Sequence, residues 1–156
     1  TLTIPDSVTK IGEGAFANLN GLKTIIIPGS VKEIGDNAFA YNATLETVIM
    51  QEGVERIKSY AFAGCANLKN VTMPNSLVSM DAMTFYQCIE LEKIVIPNKI
   101  KEIPMYCFSG DKKLKTILLP VNLSKIGSMA MHETAVNEIN IPNTVNIIES
   151  GAFNRL

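Results

Sequence analysis

The chain has no tryptophan, one histidine and three cysteines among 156 residues. Three cysteines do not make the disulfide scaffold of a small secreted domain. The lone histidine, His132, leaves no Cys/His/carboxylate spacing of a metal site. Any Ser–His or Cys–His pair would have to recruit that one residue. Glycines lie scattered at turn positions and form no phosphate-cradling loop. Charge of one sign is also missing: 14 basic residues meet 15 acidic ones, for a net charge of −1. Such a balance creates no field that draws in nucleic acid or an anionic membrane surface. No window approaches the roughly 18 consecutive apolar residues that span a bilayer. These absences point away from an enzyme, a cofactor, a nucleic-acid partner and membrane insertion of this segment.

What the chain does have is a period. Apolar residues make up 47% and charged residues 19%, a globular composition. Leu22, Leu45, Leu68, Leu91 and Leu114 recur every 23 residues without a slip. Ile25, Val48, Val71, Ile94 and Ile117 follow each of them, and then Ile27, Met50, Met73, Ile96 and Leu119. Pro28, Pro74, Pro97 and Pro120 come next, with Gln51 in the remaining unit. Val31, Val54, Leu77, Ile100 and Leu123 precede Ile34, Ile57, Met80, Ile103 and Ile126. Each unit closes on Phe39, Phe62, Phe85, Phe108 or Met131. Partial copies run from Leu2 to Phe16 and from Ile139 to Phe153, giving about seven units. The sixth is one residue short, between Met131 and Val136.

Alternating apolar residues in L-x-x-I-x-I suit a strand with one buried face. Proline cannot donate to a strand ladder, so it ends the strand and starts a corner. V-x-x-I reads as a second short extended or turning segment. G-x-x-A-F fits a turn of 3₁₀ or α-helix on the outer side. A lone unit cannot bury enough apolar surface to offset the ordering of its chain, whereas stacked units bury a continuous core. The expected architecture is a right-handed solenoid of the α/β class, rich in β, with one parallel strand per 23-residue repeat. Residues 1–156 form a single repeat domain. Both ends fall inside a unit without a polar cap, so a segment of a longer array is expected, the alternative being ends closed by self-association.

The unit I-P-x-S-V-x-x-I-G-x-x-A-F, as in Ile27–Phe39 (IPGSVKEIGDNAF) and Ile141–Phe153 (IPNTVNIIESGAF), resembles the BspA-type, or treponemal-type, leucine-rich repeat. The resemblance covers the whole chain and implies a leucine-rich-repeat solenoid. It departs from the pattern where Asp81 and Pro104 replace Gly and where Thr84 and Cys107 replace Ala. It further implies a large surface or secreted bacterial protein, in some cases an adhesin for extracellular-matrix proteins. The family offers no catalytic residues and no transferable ligand motif.

Two surfaces are candidate sites. Strand positions flanking the central Ile should face the concave side: Thr24, Ile26, Thr47, Ile49, Asn70, Thr72, Lys93, Val95, Thr116, Leu118, Glu138 and Asn140. This Thr-rich, partly apolar strip is a candidate protein-binding surface, and equally what β-propensity puts on an exposed sheet. Tyr60, Met83, Tyr106 and Met129 precede the Ala position and form a candidate convex contact patch, or simply pack on the next turn. Lys23, Glu46, Lys69, Glu92 and Lys115 alternate in sign on neighbouring strands, as do Lys10, Glu33 and Arg56, and read as a device that holds the stacking register. Cys65 and Cys88 occupy equivalent positions one unit apart, within reach of a disulfide but equally suited to buried thiols. Three N-x-S/T triplets begin at Asn42, Asn70 and Asn122. The functional expectation is an extracellular or cell-surface module that binds a protein ligand, such as host matrix or another surface protein. The alternatives are a rigid spacer or the accessory array of a larger secreted enzyme.

Overall fold

A computed structural model describes residues 2–156. Each 23-residue period is one coil of a parallel β-solenoid. The longer strands are β2 (Thr24–Ile27), β4 (Thr47–Met50), β6 (Asn70–Thr72), β8 (Lys93–Val95) and β10 (Thr116–Leu118). They fall on L-x-x-I-x-I, where alternation sends Ile25, Val48, Ile94 and Ile117 inward. V-x-x-I forms a second series of two-residue strands: β1 (Lys10–Ile11), β3 (Glu33–Ile34), β5 (Arg56–Ile57), β7 (Ser79–Met80), β9 (Glu102–Ile103), β11 (Lys125–Ile126) and β12 (Ile147–Ile148). Most units therefore contribute two strands, where the sequence suggested one. The second series forms because its amides reach carbonyls one coil back, as in Lys32 N–H to Thr9 (2.8 Å) and Gly35 N–H to Ile11 (2.8 Å).

The pairing register equals the repeat. Ile25 lies opposite Val48 and Val48 opposite Val71, while Ile11, Ile34, Ile57 and Met80 align in turn. Equivalent side chains are thus stacked, and the core is a set of columns. Leu45, Leu68, Leu91 and Leu114 form one fully buried column. Phe16, Phe39, Phe62, Phe85 and Phe108 form another, with ring centroids 5.2, 5.3, 5.6 and 5.9 Å apart. Aromatic pairs at such spacing contribute about 0.5–1.5 kcal/mol each beyond burial.

The G-x-x-A-F segment holds no 3₁₀ or α-helix among the described residues, contrary to expectation. It is a run of turns. Gly14, Asn37, Tyr60, Met83, Tyr106, Met129 and Gly151 all have φ between 54° and 66°. A left-handed residue at the third position of a turn suits type II geometry and breaks helical rotation. Turn amides then point along the stack: Asn37, Phe39 and Tyr41 donate to Ser59, Ala61 and Ala63 at 2.8–2.9 Å. The same three-bond pattern joins all six successive pairs of units.

One junction is interrupted in both strand series. Among the described residues β6 does not pair with β8, nor β7 with β9, so both strand ladders stop between the fourth and fifth units. The cause in the second series is visible. Gly35, Lys58, Asp81, Gly127 and Glu149 each donate an amide one coil back, at 2.8–2.9 Å. Pro104 occupies that position in the fifth unit and has no amide to give. The turn side stays closed there, with Met83, Phe85 and Gln87 donating to Met105, Cys107 and Ser109 at 3.0 Å.

Truncating the middle of the aromatic column tests the stacking. Phe62→Ala should cost about 3–5 kcal/mol, as large-to-small changes at fully buried aromatics do, read as the shift in urea midpoint. A cost below about 1 kcal/mol would show that the column does not bear on stability.

Candidate binding surfaces

Parallel pairing places the outward residues of the longer strands side by side. Thr24 aligns with Thr47 and Asn70, and Ile26 with Ile49 and Thr72; across the second block Lys93 aligns with Thr116 and Val95 with Leu118. Ten of the twelve strip residues are therefore gathered into one sheet face in two blocks. Ile26, Val95 and Leu118 are 50%, 52% and 48% exposed. Ile49 and Thr47 are partly covered. Glu138 and Asn140 are exposed but lie outside any strand. The shortened sixth unit precedes them, and a coil lacking one residue brings its successor out of step. At each interruption of the ladder the face opens into a groove. One, of about 520 Å³, lies between the fourth and fifth units and is walled by Lys69, Asn70, Thr72, Glu92, Lys93 and Val95. The other, of about 600 Å³, separates Thr116–Leu119 from Glu138–Ile141.

The charge alternation is realised in part. Glu33 lies between Lys10 (2.8 Å) and Arg56 (3.5 Å), and Glu46 between Lys23 (4.0 Å) and Lys69 (3.7 Å). Lys125 likewise bridges Glu102 (3.0 Å) and Glu149 (2.9 Å). Glu92 and Lys115 form no ion pair among the described residues, so that series stops where the ladder does. Hydrogen bonding from Lys10, joined by Arg56, holds the Glu33 carboxyl below its ordinary range against a smaller effect of burial. Asp81, one departure from the repeat, takes Lys58 at 2.8 Å. Thr84, another, satisfies its buried hydroxyl on the Asp81 carbonyl at 2.6 Å.

On the turn side Tyr60, Met83, Tyr106 and Met129 are half-buried and occupy the left-handed position. Met129 lies over Gly151 of the following unit: a Cβ there would fall 2.5 Å from the methionine sulfur. Tyr41, missed by the sequence reading, covers Gly64 in the same manner from the second left-handed position. Gly14 and Asn37 at the first left-handed position were the available signal, because these residue types tolerate positive φ best.

A further column was also missed in part. Asn42, Cys65, Cys88, Asp111 and Thr134 follow the phenylalanine column and are all buried. Asn42 donates to the Phe16 and Phe39 carbonyls (2.7 Å each) and accepts the Leu19 amide (2.8 Å). Its triplet is thus closed to modification in the folded array. Cys65 and Cys88 are free thiols, hydrogen-bonded to the Phe39 and Phe62 carbonyls at 3.2 and 3.3 Å. Burial pushes the Cys65 thiol up to about 12, and those of Cys88 and Cys107 well above the ordinary range. No group of three or more His, Cys, Asp or Glu among the described residues is arranged to hold a metal ion. Among the described residues no helix is long and apolar enough to cross a membrane.

Coils of this length, stacked through in-register strands and a phenylalanine column, define a leucine-rich-repeat solenoid. The particular family follows from comparison: residues 1–54 and 33–156 match the BspA type leucine rich repeat region, in six copies. The chain belongs to that family. It is similar to a leucine rich cell surface protein from Faecalibacterium prausnitzii A2-165, at 32% identity and a TM-score of 0.87 over 95% of this chain and 40% of that one. A leucine-rich repeat protein from Eubacterium ventriosum ATCC 27560 shares 28% identity, with a TM-score of 0.83 over 92% of this chain and 40% of its own. The T. pallidum leucine rich repeat protein shares 26%, with a TM-score of 0.81 over 90% and 67% respectively. The chain thus spans well under half the length of the first two. No curated protein matches it.

Two outcomes test these surfaces. Native protein should take up no iodoacetamide at neutral pH and three equivalents once unfolded, since protonated buried thiols are inert; mass spectrometry reads the difference. Glu33→Gln should cost a few tenths of a kcal/mol at pH 7, the ordinary size for a partly exposed pair. A carboxyl with a lowered folded value stabilises above its unfolded value, and the effect disappears as pH falls through the folded one. The variant and the parent should therefore converge in urea midpoint as pH falls from 4.5 through the lowered folded value.

Proposed function

We propose that this array is a non-enzymatic, extracellular or cell-surface module that binds a protein ligand on the exposed face of its longer strands. One observation carries the reading: Ile26, Val95 and Leu118, each about half exposed, lie with Ile49 along a sheet face that has no internal partner. Monomeric proteins rarely leave aligned apolar side chains on an open sheet, and solenoids present such faces to partners. Short Thr and Asn side chains between them supply hydrogen bonds at low entropic cost and leave room for a partner to approach. The surface lacks tryptophan altogether, which disfavours sugar stacking. The description of the F. prausnitzii relative as a cell surface protein supports the location. An adhesive role toward matrix proteins fits a flat surface of mixed polarity.

The test is a quadruple variant, Ile26→Lys, Ile49→Lys, Val95→Lys and Leu118→Lys, compared with the parent on immobilised purified matrix proteins by surface plasmon resonance. The parent should bind at least one of them, and the variant at least tenfold more weakly, a difference of about 1.4 kcal/mol, with its melting temperature held within a few degrees. Equal binding by both would move the site off this face. Absence of binding by the parent would favour the rigid spacer.

A further inference from the structure

Asp111 is a fully buried carboxyl in the fifth unit. Its Oδ1 accepts the Cys88 amide of the fourth unit at 2.7 Å, and its Oδ2 has no partner. A buried oxygen left alone is costly, and the cost rises steeply if the group is charged. The column to which it belongs shows what this position does. Asn42, Cys65 and Cys88 each donate a hydrogen to the carbonyl of the phenylalanine 26 residues earlier: Phe16, Phe39 and Phe62. The same register sets Asp111 against the carbonyl of Phe85. A carboxylate cannot donate to a carbonyl; a carboxylic acid can.

The location gives the group a consequence. Asp111 joins the fourth unit to the fifth, the junction at which both strand ladders are interrupted and where Pro104 supplies no amide. The phenylalanine column is also at its widest there, 5.9 Å. We propose that Asp111 is a proton-dependent latch: held as the neutral acid, it clamps the fourth and fifth units by accepting from Cys88 and donating to the Phe85 carbonyl, and loss of its proton loosens the junction.

The surroundings offer nothing to stabilise the anion other than the Cys88 amide. Cys88 faces it from the fourth unit and Cys107 from its own, both buried thiols whose own ionisation burial opposes. From the sixth unit come Thr134, whose hydroxyl is committed to the Met131 carbonyl, and His132, whose carbonyl takes the Gly110 amide and whose ring meets the Asn154 carbonyl. Lys113 is drawn away by Glu90 at 2.7 Å, and Lys112 is exposed. Burial accordingly raises the Asp111 carboxyl well above its ordinary 3.8, the Cys88 amide opposing in part.

For an acid whose folded value exceeds its unfolded one, the stabilisation is complete below the unfolded value and is lost as pH rises toward the folded one. Glu33, Glu133 and Glu149 act in the opposite sense and only near or below 4.5. The raised thiols act only as pH approaches 9.0 and beyond. Between about pH 5 and 8 the Asp111 contribution stands apart.

The experiment compares urea unfolding of the parent with Asp111→Asn across pH 5 to 8. The asparagine amide can donate to the Phe85 carbonyl without a proton from solvent, as Asn42 does to Phe16. The parent's unfolding constant should rise with each pH unit, by up to about tenfold, until the folded value is passed. The asparagine variant should lose that slope and be the more stable of the two at pH 8. Because a variant can fail to fold, the infrared spectrum of the parent is read as well. A protonated carboxyl stretch should be present at pH 6 and fade with rising pH. Identical slopes in parent and variant, or no protonated carboxyl at pH 6, would overturn the proposal.

Discussion

The structure depends on backbone hydrogen bonding between coils that differ by one period. On the strand side most amides flanking the ladders donate toward the preceding coil, as from Lys32 to Thr9 and from Gly35 to Ile11, with Ile96 to Leu118 the reverse. On the turn side they donate toward the following one, as from Phe39 to Ala61 and from Tyr41 to Ala63. Opposed directions on opposite walls fix the register of each coil twice over. A one-residue slip would break both sets at once. Where the coils are in register, side chains are therefore set over their homologues, and the columns of leucine, phenylalanine and isoleucine follow from that constraint.

This is why so much of the fold was legible. Burial at strict intervals of 23 can be read from letters alone, and the residues that recur are those that stack. The turn side was harder. Gly14 and Asn37 favour positive φ, but Tyr60, Met83, Tyr106 and Met129 do not announce it, and a helix former such as Met invites a helical reading. What overrides local propensity is the row of amides that the left-handed residue redirects to the next coil. Likewise V-x-x-I is too short to signal a strand, and it becomes one only because a carbonyl waits one coil away. The strip residues of the longer strands lie side by side on the outward face, whereas Glu138 and Asn140, after the shortened sixth unit, fall outside any strand.

Departures from the repeat carry the remaining information. Asp81 and Thr84 fit their positions by finding new partners, in Lys58 and in the Asp81 carbonyl. Cys107 fits by being small and apolar. Pro104 is different in kind, because it removes a donor and no neighbour replaces it. The ion-pair series on the longer strands also ends at that junction, with Lys69 paired and Glu92 not. Register alone does not make a pair, because among the described residues Glu92 and Lys115 stay unpaired although β8 and β10 are aligned.

In a stack each coil touches only its neighbours, so stability is a sum of local junctions, and the weakest one decides where the array first parts. The junction between the fourth and fifth units has lost its strand-side ladders and retains the turn-side bonds from Met83, Phe85 and Gln87, the widest phenylalanine contact and the Asp111 carboxyl. That junction is closed on the turn side and open on the strand side. Opening it would widen the groove between Thr72 and Val95, on the same face as Ile26 and Leu118. The proline that weakens the ladder and the acid that spans the gap are therefore placed to act on the shape of the proposed binding surface, although neither is part of it.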